Sequence, residues 1–181
     1  LTVHREPGLA ERVAKLWGHV DGATTADMRE QIARLQKTLK AGTGTPYAGK
    51  KLFSATCAKC HRLFTDGGQI GPDLTSFKRD DVTNMLTNIV NPSAEVREGF
   101  ETYVAVTGDG RVVSGFLADR DNRMIVLRGI DGQNVALEQD DLEQFERQKR
   151  SLMPEGLLQK MTDQQIRDLF AYLRSTQPLA N

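Results

Sequence analysis

Cys57-Ala58-Lys59-Cys60-His61 places both cysteines of the chain and one of its three histidines within five positions. Two thiols three positions apart on a helical turn can each add to a vinyl group of the same porphyrin, and the adjacent imidazole then lies beneath the iron. A chain built on that pentapeptide has to fold around a flat, largely apolar group. Two rival chemistries lack their other half. A structural zinc needs four ligands, usually Cys and His, and outside the pentapeptide the chain offers no Cys and only His4 and His19, without the paired spacing of a finger. A thiol redox pair is expected beside a βαβ pattern, whereas the flanks here look helical. The reading is one covalent haem c per chain, held by Cys57 and Cys60, with His61 as an iron ligand.

Charge excludes some classes of partner. Lys plus Arg and Asp plus Glu are both 24, so the net charge is zero, with no basic footprint for nucleic acid or an anionic membrane surface. No apolar run approaches the ~20 residues of a membrane span. Residues 1–11 contain no signal-peptide core. The chain starts at Leu1 without Met, as expected of a mature or excised segment, so a missing leader says little about location.

Hydrophobic spacing organises the rest. Leu9, Val13, Leu16, Trp17 and Val20 share one helical face, and Met28, Ile32, Leu35 and Leu39 share a second. They predict a helical hairpin, with Thr24 and Asp27 as a capping-box start and Gly42 as a stop. Gly42-Thr43-Gly44-Thr45-Pro46 reads as a linker, so 1–45 forms a hairpin with its linker and 46–181 the main domain. A further helix is expected over 80–91, with Val82, Met85, Leu86, Ile89 and Val90 buried and Pro92 ending it. The period then changes. Segments 102–107 and 111–117 flank Gly108-Asp109-Gly110, and 123–128 and 133–137 flank Gly129-Ile130-Asp131-Gly132; both pairs predict hairpins. Residues 142–147 make a fifth strand, so a small antiparallel sheet or partial barrel is expected over about 101–148. Gly67-Gly68 reads as a flexible turn. A last helix is expected over 163–175.

Gly49, Leu52 and Phe53 lead by helical spacing into the cysteines; Gly71-Pro72-Asp73-Leu74 follows, and Met153-Pro154 precedes the last helix. In that order these motifs resemble class I cytochrome c, over residues 46–100 and 150–178. The resemblance implies a mainly α fold: a class I cytochrome c with an inserted small antiparallel β-sheet and an N-terminal helical hairpin. It implies that His61 is the proximal ligand, that Met153 is the distal one, and that the Pro72 carbonyl accepts a hydrogen bond from the imidazole. It also implies that Gly49 and Phe53 pack across the last helix near Tyr172 and Leu173. Asn91-Pro92-Ser93-Ala94-Glu95-Val96-Arg97-Glu98-Gly99-Phe100, Tyr103 and Ser151-Leu152-Met153-Pro154-Glu155-Gly156-Leu157 further resemble the haem-binding domain of Planctomycetes and Verrucomicrobia, which usually ends large secreted dehydrogenase-like proteins.

Met153 has rivals. Met28 and Met85 sit on apolar helical stripes, Met124 in a strand-like run and Met161 near the last helix, while Met153 alone precedes a proline. His19 is the imidazole alternative. A His/Met iron has no open position, so electron transfer is expected, with Leu52, Phe53, Leu63, Phe64, Ile70, Leu74 and Leu152 lowering the local dielectric. The alternative is a gas-binding sensor for CO, NO or O₂ whose distal Met is labile. No carboxylate pair, Ser/His/Asp set or phosphate-cradling loop suggests an enzyme. Lys78, Arg79, Arg150 and Tyr47 are candidate donors to the haem propionates, each equally readable as a solvated surface group. The partner is expected to be a redox protein or a fused dehydrogenase domain. Covalent haem c attachment and the absence of spare cysteines predict a periplasmic or exported protein.

Overall fold

The computed structural model describes residues 23–180. Helix α1, Ala26–Lys40, begins at Thr25, whose hydroxyl accepts from the Met28 N–H at 3.1 Å. Thr24 is not the cap: its carbonyl accepts from Arg29 and its hydroxyl from the Asn91 amide at 3.1 Å. The helix stops at Ala41, whose N–H is shared between the Lys37 and Thr38 carbonyls, so Gly42 is not needed as a left-handed terminator. The first helix of the expected hairpin, with Trp17, His4 and His19, lies outside the described residues.

Helices α2 (Pro46–Thr56), α3 (Val82–Val90) and α4 (Asp163–Leu173) complete the helical unit with α1. Proline at the first turn suits α2, because the N–H it lacks would have no helical partner. Asp81 caps α3 by accepting from the Asn84 N–H at 3.0 Å. Thr162 and Gln165 form a reciprocal capping box at the start of α4. Leu35 of α1, Phe53 of α2, Leu86 of α3, and Ile166 and Leu169 of α4 share one buried apolar cluster. Helix α2 crosses α4 at Gly49, where a Cβ would overlap the Asp168 carbonyl oxygen and lie 2.8 Å from Tyr172 Cβ. One turn on, the Phe53 and Tyr172 rings meet at 5.4 Å. The buried Asp168 carboxylate ties the same junction, accepting from the Thr45 N–H at 2.7 Å and from Gln164 Nε2 at 2.8 Å.

The remaining strands are β1 (Arg62–Leu63), β2 (Asp66–Gly67), β3 (Thr102–Thr107), β4 (Val112–Arg120), β5 (Met124–Arg128), β6 (Asn134–Glu138) and β7 (Leu142–Arg147). β1 and β2 form a tiny ladder that the sequence pattern did not predict. β3–β7 form one antiparallel sheet in the order β6-β5-β4-β3-β7. Its edge strands β6 and β7 are joined by a single 3-10 turn, Gln139–Asp141. Laid flat at about 4.8 Å per strand, the edges would stand roughly 19 Å apart, whereas a 3-10 turn rises only about 2 Å per residue. The sheet therefore curls into a partial barrel, helped by bulges at Val106/Thr107 and Leu117/Asp119. Its interior is a second apolar cluster of Ala105, Ile125, Leu127 and Leu137, flanked by the stacked rings of Tyr103 and Phe145 at 5.0 Å.

This corrects the expectation of a mainly α fold. Four α-helices and a five-stranded antiparallel sheet, plus the two-stranded ladder, share the described chain. The sheet is too substantial for that label because it closes on its own core instead of lying as a decoration on the helices.

Substituting Gly49→Val is expected to force α2 and α4 apart and to destabilise the fold by about 3 kcal/mol. The check is the urea unfolding midpoint followed by far-ultraviolet circular dichroism.

Candidate functional site

The pentapeptide begins where α2 ends. Cys57 is the C-cap, its N–H bonded to the Phe53 carbonyl at 2.8 Å. The N–H groups of Cys60 (3.1 Å) and His61 (2.9 Å) then both turn back to the Cys57 carbonyl. The two thiols thus sit on a tight turn beyond the helix, not within it, and both are free and partly buried. Burial, and secondarily the neighbouring Cys60, pushes the Cys57 thiol up to about 11.

His61 Nδ1 lies 2.9 Å from the Pro72 carbonyl oxygen. A carbonyl can only accept, so in the neutral imidazole Nδ1 carries the proton and Nε2 is the nitrogen left to bind a metal. Two glycines make room for this ring and its backbone. A Cβ on Gly71 would stand 2.8 Å from His61 Cε1 and 3.0 Å from Nδ1. Gly67, at φ 110°, leaves no space for a Cβ against the His61 carbonyl oxygen, and the Gly68 N–H donates to Ala58 at 2.7 Å. The pair read as a flexible turn is instead a close backbone clasp around the pentapeptide, turned with the help of Phe64 in the left-handed region.

Cys57, Cys60, His61, Pro72 and Met153 all line one cavity. Ile70 and Leu74 join them from the loop after the pentapeptide, Ile89 from α3, and Leu152 and Leu157 from the segment around Met153. The other residues read as shielding lie elsewhere: Phe53 and Leu63 are in the helical core, and Leu52 and Phe64 pack against it. Among the rival methionines, Met28 and Met161 pack on that core and Met124 belongs to β5. Met85, set aside as a core residue, does line the cavity while also packing against the helical cluster.

Of the four candidate propionate donors, Lys78 and Arg79 line the cavity, and Arg150 and Tyr47 are not among its lining residues. Arg79 is held by the carbonyls of Leu173 (3.0 Å), Ser175 (2.7 Å) and Thr75 (3.2 Å), stacks over Phe64, and keeps its Nε buried without a hydrogen-bond partner.

That the sheet covers an edge of the haem site was expected from the sequence, but the residues by which it does so were not named. Phe116 of β4, Ile130 of the β5–β6 turn, and Phe100 and Arg97 of the approach to β3 also line the cavity. Phe100 and Phe116 meet edge to face at 5.8 Å. Ile130 is 49% exposed on a turn closed by the Gly132 N–H to Gly129 carbonyl bond at 2.9 Å. An isoleucine between glycine and aspartate, where turns favour polar residues, was the one visible signal.

Residues 47–112 match the family model for cytochrome c. The matched cytochrome c segment contains α2, the pentapeptide, the Pro72 loop, α3 and β3; Met153 and α4 lie beyond it. It supports a haem-based electron-transfer cytochrome and implies covalently bound haem c. No curated protein matches the chain. The residues of the cavity fit that group by their chemistry: two free thiols at the right spacing, an imidazole whose Nδ1 is engaged by Pro72, two thioethers and a mostly apolar lining with a cationic side at Lys78 and Arg79. Among the described residues no cluster of His, Cys, Asp and Glu offers a rival metal site, and no helix is long and apolar enough to cross a membrane.

Replacing Gly71→Val is expected to tilt the imidazole away from Pro72. The hydrogen-bonded Nδ1 proton of His61 is expected to give a distinct NMR resonance in the parent protein, which should be lost or shifted strongly upfield in the variant.

Proposed function

We propose that this protein is an electron carrier with one His/Met-ligated haem c, in which Cys57 and Cys60 form the thioether links and His61 and Met153 are the axial ligands. The observation that carries the reading is that His61, oriented with its Nε2 free, and Met153 line the same apolar cavity although they stand 92 positions apart. When bound, the haem would be held by these four side chains and would supply one-electron redox chemistry.

The chain's own residues do the rest. The Pro72 carbonyl, by accepting the Nδ1 proton, holds the tautomer and raises the basicity of His61. Leu74, Ile89, Phe116 and Leu152 exclude water from the cavity, which disfavours a net positive charge there and so favours the reduced state. Lys78 and Arg79 are placed to neutralise carboxylates at the cavity's polar side. The chain works as a module that takes electrons from a redox protein or a fused dehydrogenase domain. Since haem c is attached outside the bacterial cytoplasmic membrane, its place is the periplasm or beyond.

Met153→Ala and Met85→Ala form the test. The oxidised protein is expected to show the weak long-wavelength sulfur-to-iron charge-transfer band, to lose it together with a fall in midpoint potential in Met153→Ala, and to keep it in Met85→Ala. Loss of the band in Met85→Ala with retention in Met153→Ala would overturn the assignment. Immediate CO binding by the reduced parent protein would replace electron transfer with the gas-binding alternative.

A further inference from the structure

The chain leaves the helical unit after α3, builds the barrel and returns at the segment carrying Met153. Continuity of the backbone cannot place that segment against the cavity, because the whole barrel intervenes. Residues 148–154 belong to neither helix nor strand, so regular secondary structure does not place it either. What does is a short series of hydrogen bonds. Asn91-Pro92-Ser93 is a buried corner, closed by the Ala94 N–H to the Asn91 carbonyl at 3.1 Å, with Pro92 fixing the first turn position. The Asn91 amide also donates to Thr24 at 3.1 Å, at the approach to α1. From this corner the Ser93 hydroxyl oxygen, in a residue only 8% exposed, accepts the Ser151 N–H at 3.1 Å. The Ser151 hydroxyl oxygen in turn accepts the Met153 N–H, also at 3.1 Å.

We propose that Ser93 and Ser151 are positioning residues that fix Met153 at the cavity, through two successive N–H to hydroxyl bonds leading from the corner after α3. The inference rests on the His/Met reading above. Serine suits both places, since each hydroxyl satisfies a backbone N–H in a partly buried segment where an orphaned donor would be destabilising. The barrel's own closure supports the same geometry: the Gln148 N–H donates to the Thr102 carbonyl at 2.7 Å, bringing the excursion's two ends together just before the serine pair. Met153 is thereby referenced to α3 and α1, elements that also wall or support the cavity, and not to the barrel it follows in sequence.

The test compares the haem-loaded parent with Ser93→Ala, Ser151→Ala and Ser151→Thr, and with Ser54→Ala as a control, an exposed serine on α2 whose hydroxyl donates to Lys50. The readouts are the sulfur-to-iron band of the oxidised form and the rate of CO association with the reduced form, which requires Met153 to leave. Either alanine variant is expected to weaken the band and to bind CO about fivefold faster, the factor set by the net worth of one hydrogen bond. Ser151→Thr, which keeps the hydroxyl, and the control should match the parent. Parental band and rate in both alanine variants overturn the inference, as does an equal change in the control. A band that disappears in Met153→Ala yet is untouched by both serine changes overturns the inference alone; a parent with no band overturns the His/Met reading with it. Should Ser93→Ala fail to fold, the contrast between Ser151→Ala and Ser151→Thr decides.

Discussion

The crossing of α2 over α4 at Gly49 holds together segments that the chain separates by more than a hundred residues. Backbone contact at that depth is possible only without a Cβ, and it brings Phe53 against Tyr172 and Asp168 against Thr45. The pentapeptide and the grip on Arg79 both hang from this junction. The end of α2 becomes the turn that carries Cys57, Cys60 and His61, and the far end of α4 supplies the carbonyls that grip Arg79 at the cavity. If the helices stood further apart, the pentapeptide and the cationic side of the cavity would lose their common frame.

Set against that junction, the barrel is an independent unit that nonetheless shapes the site. Its interior residues Ala105, Ile125, Leu127 and Leu137 pack on one another and leave the helices to their own core. Its outer face does the opposite. Phe116 points away from the barrel interior, in register with Thr102 and Arg128, and meets Phe100 edge to face at the cavity. The alternation of a β-strand makes both possible at once, because neighbouring residues of β4 serve different cores.

Much of this was legible residue by residue. The five strands and both glycine turns follow from period-two runs and their punctuation, and the observed strands fall within a few positions of the expected ones. The helices over α3 and α4 follow from apolar spacing and their caps. What escaped was of two kinds. The β1–β2 ladder and the tight seating of Gly67 on His61 involve pairs of residues with no periodic signal. The mainly α label failed because counting motifs gave weight to the helices with recognisable landmarks and none to a sheet that closes on a core of its own.

The site divides along the same line. Cys57, Cys60 and His61 stand within five positions, so their shared chemistry is local and spacing alone reveals it. Pro72 came from resemblance, and Met153 was selected among five methionines by the proline that follows it. Folding brought Met85, Phe116, Ile130 and Arg97 to the same cavity, and it tied Met153 to Ser93 through Ser151. Apart from Ile130, an apolar residue in a polar turn, no local pattern announces those residues. Covalent attachment is written in neighbouring side chains, whereas the walls of a cavity and the supports of a loop are made by segments whose proximity arises only when helices cross and a sheet curls closed.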